Sequence, residues 1–474
     1  VLDAETGVSE QLTDSEMFDE LEPAWSPNGD QIVFRSNRAD DPDLEPDAVD
    51  LFTLPAKGGE ARNVETPFGP KQLPVFSPDG KWIAYLGYEG KGQWWKNTCL
   101  WIIPVDGSEP AKNLTEQFDF TIGNATINDL PGHLPMSPPI WSKDSQRIFF
   151  QVADHGNTIL KSINLAGDKK SLETVVDGEG TTGDFTFNKK QTLIVYLFAT
   201  MVELSNVYVY DINANKAHSL TAINKALMEE IDLGSAEEVW FKGADDNDLQ
   251  GWIIKPPHFK ESEQYPSILE IHGGPRAQYG NIFMHEFYYL AAQGYVVYFC
   301  NPRGGRGYGE DHSKAIWNQW GTVDYQDLMA WADFMEEKSY IDPEKMGVTG
   351  GSYGGYMTVW IIGHTDRFKG AVTQRCVSNL LSMYGSSDMN WVFQQEFGDK
   401  PPWESFENYW CQSPIRYIGK ATTPTQVIHS EKDLRCPIEQ GEQVFVSLKK
   451  QGVDTEMIRF PDEPHGLSRG GRTD

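Results

Sequence analysis

Basic residues are scarce in this sequence of 474 residues, which has 40 lysines and arginines against 69 aspartates and glutamates and a formal net charge of -29 at pH 7. A surface of this sign repels phosphate backbones and anionic lipid headgroups. Long apolar runs are also missing, since none approaches the roughly 20 residues that a membrane-spanning helix needs. We therefore expect neither a nucleic acid nor a membrane as a partner of this chain.

Cysteine is rare as well. The sequence has five cysteines, which are too scattered for a disulfide framework and lack the Cys-x-x-Cys spacing of a zinc site. They are Cys99, Cys300, Cys376, Cys411 and Cys436. An odd number of isolated cysteines predicts free thiols in a reducing compartment, so we expect a cytoplasmic protein. We expect no metal and no cofactor.

The first half of the chain contains a repeated pattern of a strand, a turn and a second strand. Closely matching copies occupy residues 23–34 and 74–85, a third occupies residues 139–150, and a degraded fourth occupies residues 185–196. Each copy, with the strand that follows it, predicts one four-stranded blade of a β-propeller. The alternative is a β-sandwich with coincidentally similar hairpins. The three strong copies favour the propeller.

The start of the chain, residues 1–13, has the pattern of the last strand of a blade. Only about four blades are visible, which is the low end of the range in which propellers close. We therefore expect a β-propeller that is incomplete in this chain, with residues 1–235 forming the blades that are present.

From about residue 236 the pattern changes to strands that alternate with helices, which is typical of a mostly parallel sheet covered by helices. Residues 325–335 have apolar side chains at helical spacing. Residues 236–474 are therefore predicted to form an α/β-hydrolase domain after the propeller. The predicted strands are a hairpin within residues 239–255, then residues 267–272, 295–300, 346–350, 370–374, 425–429 and 455–460.

Ser352 lies at the centre of a Gly-x-Ser-x-Gly motif, residues 350–354, between a predicted strand and a predicted helix at residues 356–362. The turn from strand to helix is sharp, so side chains two positions either side of the serine would collide with their neighbours. The turn also holds the hydroxyl at a helix N-terminus, which favours developing negative charge. We predict Ser352 as a nucleophile; the alternative is a glycine-rich structural turn.

A serine hydroxyl needs a base to take its proton and a carboxylate to orient that base. Asp433 and His465 each follow a predicted strand, in the Ser, Asp, His order of this fold. Because the carboxyl ends of parallel strands meet at one edge of a sheet, we predict a catalytic triad of Ser352, Asp433 and His465.

Three neighbouring residues have other interpretations. Glu431 and Asp462 are competing carboxylates, and their simpler interpretation is solvation at the surface. His429 ends a predicted strand, and we expect a structural role for it.

The tetrahedral intermediate of acyl transfer needs two backbone N–H donors. Residues 272–275, His-Gly-Gly-Pro, follow an early strand, and Tyr353 follows the serine. We predict that the N–H groups of Gly274 and Tyr353 form the oxyanion hole. The glycine-rich residues 301–309 lack the spacing of a dinucleotide-binding loop, so we interpret them as a wall of the site.

These motifs, with Arg435 two residues after Asp433 and Gly466 after His465, resemble the prolyl oligopeptidase family of serine peptidases, and within it the acylaminoacyl peptidase branch. The resemblance covers nearly all of the chain. It implies that the propeller restricts access to short peptides, including N-acylated ones. It also implies that Gly274 serves the oxyanion hole through its backbone, because His272 stands where other branches have a tyrosine. Arg435 is implied to bind the carbonyl that precedes the scissile residue.

The chain also departs from that family, which has a longer propeller and a helix after the catalytic histidine, whereas this sequence ends at Asp474, nine residues after His465. We therefore expect a fragment or one piece of a processed enzyme, for which a second chain would supply further blades; a homo-oligomer is the alternative. The predicted activity is release of N-acylated amino acids or short N-terminal units from small peptides. The alternatives are a dipeptidyl peptidase or oligopeptidase of the same family, a carboxylesterase, and a non-catalytic propeller module.

Overall fold

The computed structural model describes residues 1–130, 136–165 and 171–467, and the chain divides into two compact units. Unit 1 comprises Val1–Asn124, Leu134–Phe198 and Val207–Thr221. Unit 2 comprises Ala125–His133, Ala199–Asn206 and Ala222–Asp474. The domain boundary between residues 235 and 236 stays a prediction. In the described part of the chain, no helix is both long enough and apolar enough to cross a bilayer.

The repeat region forms short strands separated by turns. The strands are β1 (Leu21–Trp25), β2 (Gln31–Asn37), β3 (Val49–Pro55), β4 (Arg62–Val64), β5 (Lys71–Phe76), β6 (Trp82–Gly87), β7 (Cys99–Pro104), β8 (Lys112–Asn113), β9 (Thr121–Ile122), β10 (Ile140–Trp141), β11 (Arg147–Asp154), β12 (Asn157–Asn164), β13 (Ser171–Val176), β14 (Thr181–Phe187), β15 (Leu193–Ala199), β16 (Asn206–Asp211) and β17 (Lys216–Ser219).

Each repeat copy contributes four strands that are neighbours in chain order. Strands β1 to β4 form one antiparallel sheet, and β5 to β8 form another. Strands β10 to β13 and β14 to β17 are two further sets, joined into one sheet by a parallel bridge between Thr158 and Thr181; β9 pairs with β11. The predicted β-propeller blades are confirmed.

The same turn recurs within the first three blades, where a serine hydroxyl donates to an asparagine or aspartate two residues later. The pairs are Ser26 with Asn28, Ser77 with Asp79, and Ser142 with Asp144. The next residue has a positive φ in each copy, and Gly29 and Gly80 adopt it at 75° and 70°. Glycine reaches this region without a steric penalty, which explains its place in the repeat pattern.

Neighbouring blades pack face to face, so their inner strands are apolar on both sides. In β11, Ile148, Phe150 and Val152 belong to a core shared with β6 and β7. Phe149, on the opposite face of the strand, belongs to a core shared with β14 and β15. Burial on two faces explains why apolar residues occupy consecutive positions of this strand, at 148–150 and 152–153.

Unit 2 alternates strands with helices over residues 222–467. Its elements are α1 (Lys225–Glu230), β18 (Ser235–Lys242), β19 (Asp248–Lys255), β20 (Tyr265–Ile271), α2 (His285–Ala292), β21 (Val296–Cys300), α3 (Glu310–Lys314), α4 (Val323–Glu336), β22 (Ile341–Gly351), α5 (Tyr353–Ile362), β23 (Gly370–Gln374), α6 (Leu380–Ser386), α7 (Asn390–Glu396), α8 (Phe406–Cys411), β24 (Thr425–Ser430), α9 (Glu439–Gln451) and β25 (Thr455–Phe460).

These strands form one sheet in the order β18-β19-β21-β20-β22-β23-β24-β25. The pairs β18–β19 and β19–β21 are antiparallel, and every later pair is parallel. This arrangement confirms the predicted α/β-hydrolase fold. It also brings the carboxyl ends of β20, β22, β23, β24 and β25 to one edge, where sites form in such sheets.

Helices cover both faces of the sheet near its centre. Strand β21 is buried at every position. Its residues Val296, Tyr298 and Cys300 pack in the core that contains α4 and α5, whereas Val297 and Phe299 pack against α2. Packing on both faces fixes the central strands, and with them the residues that follow their carboxyl ends.

Candidate active site

Ser352 occupies the turn between β22 and α5. Its backbone has φ 61° and ψ -119°, a conformation that is strained for any residue other than glycine. Two hydrogen bonds hold the turn: Ser352 N–H donates to the carbonyl of Gln374 at 3.0 Å, and Tyr356 N–H donates to the carbonyl of Ser352 at 2.8 Å. This is the geometry of a nucleophile elbow, in which the serine side chain projects from a tight strand-to-helix turn.

The glycines around Ser352 are required by close backbone contacts. A Cβ on Gly350 would lie 2.6 Å from the carbonyl oxygen of Ile271, and one on Gly354 only 2.0 Å from the same atom. A Cβ on Gly355 would lie 2.6 Å from the carbonyl oxygen of Gln374. The collisions predicted for side chains two positions either side of the serine are therefore found.

Asp433 and His465 lie in contact, although 32 residues separate them in the sequence. His465 Nδ1 is 2.7 Å from Asp433 Oδ2, and the side chain of Asp433 is fully buried. The other carboxylate oxygen, Oδ1, accepts the backbone N–H groups of Arg435 at 3.0 Å and Cys436 at 2.9 Å. Because the carboxylate can only accept, His465 carries its proton on Nδ1, which leaves Nε2 as the basic nitrogen of the neutral ring.

His429 supports the loop that carries Asp433. Its Nε2 lies 2.7 Å from the carbonyl oxygen of Cys436, and because a carbonyl only accepts, Nε2 holds the proton. Burial is the largest cause that lowers the pKa of His429, so the ring is neutral in the fold. The ring also lies 3.7 Å from Asp433 Oδ2. His429 therefore has a structural role in positioning this loop.

The thiol of Cys436 belongs to the same loop. Burial, the largest effect, raises the pKa of the Cys436 thiol well above its usual value, and the nearby Ser352 hydroxyl acts in the opposite direction. Cys436 is only 1% exposed. Within the described residues no hydrogen bond joins Ser352 to His465, a contact that often tightens only when substrate is bound.

Residues 272–274 lie beside the serine. A Cβ on Gly273 would lie 3.1 Å from the carbonyl oxygen of Gly351 and 3.4 Å from Ser352 Cβ. His272 Nδ1 donates to the carbonyl of Gly273 at 2.8 Å, and burial lowers the pKa of His272 to about 4. Since that carbonyl and the N–H of Gly274 belong to the same planar peptide unit, the neutral His272 ring also fixes the direction of the Gly274 N–H.

Tyr353 is held by a buried carboxylate. Its hydroxyl donates to Asp324, which also accepts the backbone N–H of Gly321 at 3.0 Å. Burial raises the pKa of Asp324, and the hydrogen bond from Tyr353 acts in the opposite direction. The start of α5, and with it the N–H of Tyr353 next to Ser352, is thereby tied to the start of α4.

The glycine-rich loop of residues 301–309 packs against residues 272–277, next to the predicted oxyanion hole. Arg276 makes the main link, donating to the carbonyl of Gly304 at 3.0 Å and to Glu396 at 2.7 Å. Glu396 also accepts Nε1–H of Trp320 at 2.9 Å. The arginine and glutamate side chains are each 8% exposed, so this is a buried and well-satisfied ion pair.

Arg435 stands at the surface of the Asp433 loop. Its Nε donates to Asp388 Oδ1 at 2.7 Å, and the two side chains are 44% and 42% exposed. Asp388 does not lie in a recognisable sequence motif, and it was not among the predicted site residues. Only its spatial neighbour, Arg435, lies in a recognisable pattern.

A second unpredicted group lies next to the turn that carries Ser352. Arg375 follows the carboxyl end of β23, and a Cβ on Gly351 would lie 2.7 Å from its guanidinium carbon. Burial, repulsion from Glu286 and repulsion from Asp129 raise the pKa of Glu270 well above its usual value, while Arg375 lowers it. Sequence reasoning missed Arg375 as a residue near the site, and its position directly after a predicted strand was the one signal that could have indicated it.

Other cavities and clusters lie away from these residues. A cavity of about 990 Å³ opens over the sheet face formed by Ile268, Val372, Gln374 and Ile428, and Ser352, Asp433 and His465 are not among its lining residues. Over residues 1–130, 136–165 and 171–467, no three His, Cys, Asp or Glu side chains are grouped to hold a metal ion. All five cysteines are free thiols, as the sequence predicted.

Comparisons with known proteins agree with this architecture. A sequence profile of the prolyl oligopeptidase family matches residues 281–473. The chain is 34% identical to the uncharacterized peptidase YuxL of Bacillus subtilis, covering 99% of this chain and 71% of YuxL. It is 26% identical to dipeptidyl-peptidase 5 of Porphyromonas gingivalis, covering 93% of this chain and 63% of that protein, which is less than two thirds of its length.

Among solved structures, the acylaminoacyl peptidase of Pyrococcus horikoshii is similar with a TM-score of 0.82 and 27% identity, covering 99% of this chain and 70% of that one. The profile match falls in the unit that holds Ser352, Asp433 and His465. With 34% identity across 71% of a relative, this chain belongs to the prolyl oligopeptidase family, and it is a serine peptidase of that family.

Proposed function

We propose that Ser352, Asp433 and His465 form a catalytic triad that cleaves short peptides and releases an N-acylated amino acid or another short N-terminal unit. The observation that carries the proposal is the 2.7 Å hydrogen bond between His465 Nδ1 and Asp433 Oδ2. With the proton on Nδ1, the opposite nitrogen of the neutral ring is able to take the proton of Ser352. The buried carboxylate then stabilises the imidazolium that forms.

The reaction has two steps. In the first, Ser352 Oγ attacks the scissile carbonyl while His465 takes the hydroxyl proton and then gives it to the departing amine as the C–N bond breaks. In the second, His465 takes a proton from water as the water attacks the acyl-enzyme ester, and then gives that proton to Ser352 Oγ as the ester C–O bond breaks and the acid product leaves. The N–H groups of Gly274 and Tyr353 stabilise the oxyanion in both steps, and the contacts of His272 and Asp324 support this role.

Arg435 is proposed to donate to the carbonyl that precedes the scissile residue. Two observations support this: the guanidinium is half exposed, and its backbone N–H is bound to Asp433, so it is fixed beside the triad. The similarity to an acylaminoacyl peptidase supports an N-acyl group as the source of that carbonyl. The relative named dipeptidyl-peptidase 5 supports the second candidate, release of dipeptides.

Arg435→Ala tests this assignment. Losing one charge-assisted hydrogen bond should reduce kcat/KM on acetyl-aminoacyl p-nitroanilides by about 10- to 150-fold. Hydrolysis of p-nitrophenyl acetate, which lacks the second carbonyl, should fall much less. Arg459→Ala is the matched control, because Arg459 is also 44% exposed and also pairs with carboxylates, those of Glu431 and Glu442.

Equal losses on the anilide and the ester would show that Arg435 only supports the loop. A wild-type protein that hydrolyses the ester but no peptide, whether acylated or free at its N-terminus, would contradict the proposal and favour a carboxylesterase. Short peptides are the partners that the proposal implies. A second chain or a homo-oligomer, and a cytoplasmic location, stay predictions from the sequence.

A further inference from the structure

The ion pair between Arg435 and Asp388 uses only one of the hydrogen-bonding atoms of each side chain. Only Nε of Arg435 is bound, and only Oδ1 of Asp388 receives it. In the described residues, the terminal nitrogens of Arg435 and the Oδ2 of Asp388 have no hydrogen-bond partner. With the side chains 44% and 42% exposed, a guanidinium edge and a carboxylate oxygen face solvent side by side.

Backbone hydrogen bonds fix this pair to the loop that carries Asp433. Asp388 N–H donates to the carbonyl of Leu434 at 2.9 Å, and Ser387 Oγ–H donates to the carbonyl of Arg435 at 2.8 Å. Arg435 N–H in turn donates to Asp433 Oδ1. Unlike a typical surface ion pair, which gains little because two long side chains must be ordered, this one is held by its backbone on both sides.

The charge of Asp388 changes which N-terminal groups this surface accepts. Arg435 alone would present a full positive charge and would repel an ammonium group placed beside it. Asp388 neutralises that charge and offers an acceptor oxygen next to the guanidinium. A peptide with a free N-terminus has the matching arrangement, because its ammonium is attached to the carbon that bears the N-terminal carbonyl.

From this juxtaposition we infer that Asp388 binds the free α-ammonium of a peptide while Arg435 binds the carbonyl of the same N-terminal residue. The substrate class of this site therefore includes peptides with an unblocked N-terminus, from which a dipeptide is released. An N-acylated substrate uses Arg435 alone. The inference rests on the proposed function, because it takes the scissile bond to Ser352 and the preceding carbonyl to Arg435.

Asp388→Asn tests the inference with two substrates that differ only in the ammonium: alanyl-X-p-nitroanilide and propionyl-X-p-nitroanilide, where X is the residue that the wild-type protein cleaves best. Asparagine keeps an acceptor for Arg435 Nε and removes the charge. We expect kcat/KM for the alanyl substrate to fall about tenfold or more, and that for the propionyl substrate to change less than about twofold. Asp333→Asn is the control and should change neither, because it removes the charge of an exposed carboxylate in α4 that pairs with Arg367.

A second readout is the pH dependence of the wild-type protein. Turnover of the alanyl substrate relative to the propionyl one should fall as the ammonium loses its proton near pH 8, and Asp388→Asn should weaken that dependence. Equal losses on both substrates would mean that Asp388 only orients Arg435 and would overturn the inference. So would a wild-type protein that cleaves the propionyl substrate but not the alanyl one. Failure of the wild type on both substrates would instead overturn the proposed function.

Discussion

Asp433 accepts three hydrogen bonds, and only one of them comes from His465: Oδ2 faces His465 Nδ1 at 2.7 Å, while Oδ1 receives two backbone N–H groups of its own loop. The two backbone hydrogen bonds fix the position of the Asp433 carboxylate and stabilise its negative charge. The imidazole of His465 is therefore oriented by a rigid partner. A carboxylate in this position favours one tautomer of the histidine and stabilises its charged form during the reaction.

Asp433→Asn should therefore leave the fold intact and reduce kcat by on the order of 10⁴-fold, because an amide at this position favours the wrong tautomer of His465. Steady-state kinetics on a p-nitroanilide substrate measures the loss. Asp462→Asn is the matched control, since Asp462 is exposed and pairs with Lys432. If Asp462→Asn lost as much activity as Asp433→Asn, the third member of the triad would have to be reassigned.

His429→Ala should reduce kcat by acting through the Asp433 loop, because the carbonyl of Cys436 loses its donor. His429→Gln should restore much of that activity, since its side-chain amide is able to donate from a similar position. The KM of each variant should stay near that of wild type. Two variants with the same activity would show that the hydrogen bond to Cys436 has no part in positioning the loop.

Gly354→Ala should lower the free energy of unfolding by about 1 to 3 kcal/mol and abolish turnover. The reason is that its Cβ would lie 2.0 Å from the carbonyl oxygen of Ile271, which is fixed in β20. Gly385→Ala is the control: it lies in α6, and a Cβ there has no neighbour within 4 Å. Thermal unfolding and activity measure both effects. A Gly354→Ala protein with normal stability and turnover would contradict the elbow geometry.

Glu270→Gln should change how stability depends on pH. Burial raises the pKa of Glu270 in the fold, so the stability that its protonated form contributes is complete below the unfolded pKa of about 4.5 and is lost as pH rises toward the folded value. Glutamine cannot ionise, so the variant should gain thermal stability over wild type increasingly as pH rises above about 4.5, as measured by Tm. Glu344→Gln is the control, because it changes an exposed residue and should give no such gain. Parallel curves of Tm against pH for Glu270→Gln and wild type would count against a protonated Glu270.

Much of this fold could be predicted because its patterns are local. The repeat turns depend on a serine, an aspartate or asparagine, and a residue with positive φ within a few positions, so their sequence reveals them. The strands of the second half are buried runs with helices between them, and each predicted strand overlaps an observed one. The short helices α6 to α8 were not predicted, because six or seven residues are too few to establish a helical period.

The motif residues of the site were also accessible from sequence, since the elbow and the strand ends have recognisable residue types at fixed places. The residues that position them were not. Asp388 reaches Arg435 across 47 residues, and Arg276 reaches Glu396 across 120. Such pairs depend on how distant segments pack in three dimensions, and no local spacing encodes them.

The central claim is that Ser352 is the nucleophile, and labelling by a fluorophosphonate probe with digestion and mass spectrometry tests it most directly. Wild-type protein should acquire one adduct, on the peptide that contains Ser352. Ser352→Ala should acquire none there, keep its Tm within a few degrees, and lose peptide turnover to near background, because the elbow accommodates the smaller side chain. Undiminished labelling of Ser352→Ala, or peptide turnover within about tenfold of wild type, would contradict the account.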